Sequence, residues 1–181
     1  MKRWVGLAAL LLIGLAAALL FRPEAESAEE WLRHQGFDAE LLHRETRPGD
    51  IDIIVFHDLN LKEMNIAFLQ SSGWKRNGVV RSDFPLTVPP ESISYKYSRL
   101  PLGSTHLAVL YGLVTDPDVG AVEVRIPRHQ QEEAMDIKIA PVIRSSDEAV
   151  WYIVLEEELT GAQSVKIQLH GLKKQAVSLF L

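Results

Sequence analysis

The residues best suited to chemistry in this chain are its six histidines: His34, His43, His57, His106, His129 and His170. A helical metal pair needs two of them four residues apart on one face. No two have that spacing, and H-E-x-x-H is absent. His57-Asp58 is the one place where a histidine adjoins a carboxylate. It follows the apolar run Ile51–Phe56, where a loop would project it, yet neighbours on an extended strand point to opposite faces. The catalytic reading is therefore a hydrolase that assembles His57, Asp58 and His106 from dispersed positions. The structural reading makes each histidine a surface or half-buried residue.

Other chemistries find less footing. There is no G-x-S-x-G, no G-x-G-x-x-G and no phosphate-binding loop, and Gly103-Ser104-Thr105-His106 reads as a loop entering a strand. Asp116-Pro-Asp-Val-Gly120 has two of the acids of a calcium loop but lacks the third ligand, the glycine at position 6 and the distal glutamate, so it reads as a tight turn. Gln130–Glu133 and Glu156–Glu158 read as solvated acidic runs. The absence of cysteine excludes disulfides, thiolate catalysis and Cys-ligated zinc. No cofactor and no metal is implied. One surface stands out: Trp74-Lys75-Arg76-Asn77-Gly78-Val-Val-Arg81 places three cations and a tryptophan around an expected hairpin tip. Trp74, Lys75, Arg76 and Arg81 are the candidate interaction surface, suited to anionic headgroups or an acidic polymer. The plainer reading is an exposed hairpin with Trp74 folded inward.

The elements that position these residues are mostly strands. Ser27-Ala-Glu-Glu30 has the capping-box form and Gly36 suits a helix C′ position, which predicts a short amphipathic helix over 28–35. Ile51–Phe56 is apolar on both parities, as a strand buried on two faces should be, and Arg47-Pro-Gly-Asp50 turns back to a partner over 40–46. Met64–Gln70 is another strand. Asn77-Gly78 signals a hairpin joining 73–76 to 79–82. Pro85, Pro89 and Pro90 mark a boundary over 83–91. Strands are then expected over 92–100, 106–114, 119–126, 135–143, 150–156, 164–170 and 175–181. In the fourth of these Met135, Ile137 and Ile139 alternate with Asp136 and Lys138 as the inward face of a half-buried strand.

The start of the chain is different. Trp4 to Phe21 is 18 residues without a charge, about 27 Å as a helix and close to the thickness of a bilayer core. Lys2 and Arg3 precede it, and Glu24, Glu26, Glu29 and Glu30 follow. That asymmetry puts the N-terminus in the cytoplasm and the body outside. The run is long for a signal peptide, although Ala25-Glu26-Ser27 before Ala28 is a cleavage candidate. Cleavage there would remove the helix cap, which favours a retained anchor over a secreted product. The formal charge of −5 becomes about −7 without Lys2 and Arg3, a poor match to nucleic acid or to general polybasic attachment.

The expected fold is mainly β, with α+β character in the N-terminal part. It comprises a transmembrane or signal-anchor segment (1–22), a short helix with a small antiparallel β subdomain (23–90), and an antiparallel β-sandwich-like domain (91–181). Whether the last is a sandwich or a barrel stays open. The stretch Tyr111-Gly-Leu-Val-Thr-Asp-Pro-Asp118, with Val122-Glu-Val124 and Val150-Trp-Tyr-Ile-Val-Leu155, resembles small uncharacterised anchored or secreted proteins of Bacillus-type bacteria. In these a G-x-[IV]-x-D turn leads into a strand and an aromatic-rich strand follows. The resemblance implies a Gram-positive cell-envelope setting and carries no catalytic residue across. The functional expectation is a non-catalytic, membrane-anchored extracytoplasmic module. It would contact the lipid bilayer through residues 4–21 and bind a protein partner at the cell envelope. The alternatives are a sensor or regulator acting on a neighbouring membrane protein through the helix or the anchor, and the dispersed-site hydrolase.

Overall fold

A computed structural model describes residues 26–72, 75–85, 92–103, 105–128, 131–146, 148–156, 158–159 and 166–174. The expected anchor and the strand over 175–181 lie outside the described residues. Among the described residues one short helix, α1 (Ala28–His34), is followed by ten strands. These are β1 (Ala39–Arg47), β2 (Ile51–Asp58), β3 (Glu63–Ser72), β4 (Lys75–Arg81), β5 (Lys96–Leu102), β6 (Thr105–Leu113), β7 (Val119–Arg128), β8 (Gln131–Arg144), β9 (Ala149–Leu155) and β10 (Gln168–Lys173). They form two antiparallel sheets, ordered β1-β2-β3-β4 and β10-β7-β8-β9-β6-β5.

α1 begins as its sequence requires. The Ser27 side chain accepts from the Glu30 backbone N–H at 3.0 Å and the Glu30 carboxylate accepts from the Ser27 N–H at 2.9 Å. Gly36, at φ +90°, takes the left-handed position that ends the helix. Its apolar side, Ala28, Trp31 and Leu32, covers Ile54, Phe56, Ala67 and Leu69 on the outer face of the first sheet. A Ser27→Ala change should cost about 1 kcal/mol. It would be read as a lower urea midpoint with an unchanged m-value.

The other face of that sheet (Ile53, Val55, Met64, Ile66 and Phe68) packs on Leu100, Leu102, Val109, Tyr111, Val150, Tyr152 and Val154 from β5, β6 and β9. The alternate residues of β6 and β9, with Trp151 at the centre, pack on Val122, Val124 and Ile126 of β7 and Ala140 of β8. So β2, β3, β6 and β9 are each covered on both sides, which is why they read as unbroken apolar runs. The second sheet rolls up to make this core. β8 pairs with β7 as far as Pro141 and with β9 from Val142, so one strand turns the corner between two layers. At the far edge an ideal Cβ on Gly171 of β10 would lie 3.3 Å from Ile93, just before β5. The C-terminal half is therefore an open roll whose outer wall carries the first sheet. The expected boundary over 83–91 separates the two sheets in sequence, but they share one core.

Two local expectations are corrected. Asn77-Gly78 is not a hairpin tip; both residues lie inside β4, opposite Gln70 and Leu69. Gly78 answers to packing, since a Cβ there would meet the Leu69 side chain at 2.3 Å and Trp31 at 3.1 Å. The face of β8 is also inverted: Ile137 and Ile139 are 57% and 48% exposed, while Ala140 lies in the core.

Candidate functional site

The basic hairpin is divided between two faces. Trp74 lies outside the described residues. Lys75 is exposed at the start of β4. Arg76 turns to the α1 side, where its guanidinium meets Asp52 at 2.6 Å and donates from Nε to the Glu26 carbonyl at 2.7 Å. Asp52 also accepts from Arg44 at 2.8 Å and Thr46 at 2.6 Å. Burial pushes the Asp52 carboxyl up, but the bonds from Thr46, Arg76 and Arg44 outweigh it and hold it below the usual aspartate range. Arg81 has the parity of Val79, on the face turned to the second sheet, and its Nε is buried with no hydrogen-bond partner among the described residues. Of the four expected surface residues, Arg76 is a structural pin and Lys75 is a surface cation.

His57 and Asp58 end β2, and His106 is the second residue of β6. Asp58 is buried and accepts from the Asn60 N–H at 3.0 Å, shaping the β2–β3 turn. His57 pairs with Met64, whose N–H donates to Glu148 at 2.8 Å. His106 stands beside the β5–β6 turn, where a Cβ on Gly103 would lie 2.8 Å from Gln70; Gln70 pairs with Ile51 at the opposite end of β2. Six residue steps of strand, about 20 Å, separate these ends. The fold does not bring His57 and His106 together.

Two polar clusters were not anticipated. Buried Tyr111 donates to Asp83 at 3.1 Å and lies 3.2 Å from the Ser98 hydroxyl, while Lys96 pairs with the same Asp83. Burial raises the Tyr111 hydroxyl, and the Asp83 hydrogen bond raises Lys96. Asp83 is pushed up by burial but held below its usual range by its bonds to Lys96 and Tyr111. Every group is driven further into its ordinary charge state at neutral pH, the reverse of what a general base or activated nucleophile needs. Between the sheets, Tyr152 donates to Glu45 at 2.7 Å, and burial together with that carboxylate raises the phenol strongly. The first cluster fastens the segment after β4 to the second sheet, and the second fastens β1 to β9.

A concavity of about 410 Å³ lies at the Glu148 end, lined by Leu113, Thr115, Pro117, Arg144, Ser145 and Glu148 among others. Its charged groups have structural duties. Arg144 donates to the Asp116 and Val119 carbonyls at 2.9 and 2.6 Å, and Glu148 receives Met64. Beside it, Asp116 accepts from the Asp118 N–H at 2.9 Å, an Asx turn of the kind expected there. The β2–β3 turn at this same end exposes Leu59 (48%) and Leu61 (64%). Among the described residues no group of three or more His, Asp or Glu is placed to hold a metal ion, and no helix is long and apolar enough to cross a membrane.

One of the unanticipated residues had a signal in the sequence. Asp52 is a lone charge inside Ile51–Phe56, and a charge in a doubly covered strand demands a partner. Tyr111, Asp83 and Lys96 had none, because their meeting depends on how β4 approaches β5. No protein family, curated protein or solved structure matches this chain.

Proposed function

We propose that this chain is a membrane-anchored, extracytoplasmic module that binds a protein partner at the cell envelope and carries out no catalysis of its own. The observation that carries the reading is the 18-residue uncharged run from Trp4 to Phe21, followed within a few residues by the folded body. The basic residues before it and acids after it support an outside placement. The resemblance of 111–155 to anchored and secreted Bacillus-type proteins favours a Gram-positive envelope. Leu59, Leu61, Ile137 and Ile139 supply exposed apolar side chains of the sort a partner covers. The apolar side of α1 is spent inside the fold. A regulator of a neighbouring membrane protein would therefore have to act through the anchor rather than through this side of the helix. A hydrolase built on His57 and His106 would have to span about 20 Å.

The chain has no cysteine, so a Leu61→Cys variant carries a single thiol. In intact cells a membrane-impermeant maleimide should label it, and alkaline carbonate should leave the protein in the membrane fraction. Labelling only after lysis would refute the outside placement. A soluble mature chain beginning at Ala28 would establish secretion after cleavage instead.

A further inference from the structure

The junction between leader and fold is fastened at several points. The Glu26 carbonyl accepts from Arg76, its carboxylate lies 2.8 Å from His34 Nδ1, and the Arg76 N–H points to the same carboxylate at 3.4 Å. Ser27 then caps α1, and Asp52 holds Arg76 from below. Only residues 22–25 separate Phe21 from Glu26. Five residue steps of fully extended chain reach at most about 18 Å. Glu26 is thus confined near the end of the apolar run, and its contacts fix it to α1 and β4.

Its surroundings define which end is confined. Arg76 lies one residue past the start of β4, beside the β3–β4 connection, and Asp52 lies beside the β1–β2 turn. Gln70, paired with Ile51, abuts Gly103 in the β5–β6 turn. The β1–β2 turn, the adjoining ends of β3 and β4, and Gly103 after β5 therefore gather at the Glu26 end. The Leu59–Leu61 turn and the Arg144–Glu148 concavity lie at the other end of β2, about 20 Å away.

We infer that the Glu26 end of the fold, with Lys75 and the β1–β2 and β5–β6 turns, rests on the phospholipid headgroup layer, and that the Leu59–Leu61 end is held away from it. This rests on the reading of residues 4–21 as a retained anchor. The contact is set by the short tether rather than by charge. Arg44 and Arg76 are paired with Asp52 and Arg47 with Glu45, so the cations of this end are largely balanced. The stance should therefore be the same on zwitterionic and anionic bilayers.

The test uses the full chain in phosphatidylcholine vesicles, with single-cysteine variants Lys75→Cys and Leu61→Cys each carrying a fluorophore, and a nitroxide-headgroup lipid as quencher. Quenching several-fold stronger at position 75 than at 61 is expected, unchanged when phosphatidylglycerol is added. Inserting about twelve Gly/Ser residues after Pro23, a spacer of roughly 20 Å, should erase that difference while the protein still floats with the vesicles. Flotation with equal quenching, or with stronger quenching at 61, overturns the stance and leaves the anchor intact. Failure to float overturns the anchor and the stance together. Quenching at 75 that appears only with anionic lipid overturns the tether as its cause.

Discussion

Replacing Gly112 with alanine should destabilise the protein by about 3–5 kcal/mol, enough to empty much of the native population of a domain whose total stability is of order 5–15 kcal/mol. Gly112 sits within β6, opposite Trp151 of β9, where the segment before β5 crosses over the strand. A Cβ there would lie 1.9 Å from the Ser94 carbonyl oxygen, 2.6 Å from its carbon and 3.0 Å from Tyr95 Cα. All three are backbone atoms, so no rotamer relieves the clash. Ser94 cannot withdraw freely either. Its carbonyl accepts from Trp151 Nε1 at 3.0 Å, its N–H donates to Leu113 at 3.0 Å, and its hydroxyl accepts from the Leu113 N–H while donating to Pro85. Shifting it leaves a fully buried indole N–H without its acceptor, at about 1–3 kcal/mol. Overpacking adds a similar amount. Urea denaturation gives the measurement, with Gly36→Ala as the comparison. Gly36 has a positive φ but open space around it, and its replacement should cost about 1 kcal/mol. Equal losses at the two sites would refute the crossing argument.

The same glycine shows what the sequence makes legible. It falls inside the strand expected over 106–114 and is a strand residue, but the need for glycine there comes from a segment that leaves no local trace. Signals confined to a few residues survive: the Ser27–Glu30 box, the Arg47–Asp50 turn and the doubly apolar runs of β2, β6 and β9 all stand where they were expected. Signals that need a partner do not. Alternation in Met135–Ile139 shows that those residues share a face, but only the roll of the second sheet decides that the face is outward. Asn77-Gly78 has the composition of a type I′ turn and the position of a packing site against Trp31. The candidate site follows the same rule. The cations at 75, 76 and 81 are visible, whereas the assignment of Arg76 to an aspartate 24 residues away is a property of the folded sheet.

That assignment carries the second large effect. Asp52→Ala should cost about 3–5 kcal/mol, because it strands a guanidinium that is only 11% exposed. Arg44→Ala, at the more open side of the same carboxylate, should cost under about 1 kcal/mol. The loss should also loosen the start of α1, since Arg76 is what ties Glu26 to β4; amide exchange of residues 28–32 should quicken more in Asp52→Ala than in Arg44→Ala. Acid makes the same point without removing an atom. The folded carboxyl titrates below its ordinary value of 3.8, so its contribution is complete above that value and drains away as pH falls through it toward the folded value. Stability of the native sequence should therefore decline with acidification below about pH 4. Asp52→Asn should show a shallower decline, the remainder including Asp83, which is held down by Lys96 and Tyr111, and Glu30, which is held down by its hydrogen bonds with Ser27. An acid slope identical in Asp52→Asn and the native chain would mean that the three hydrogen bonds to this carboxylate do not favour its charged form.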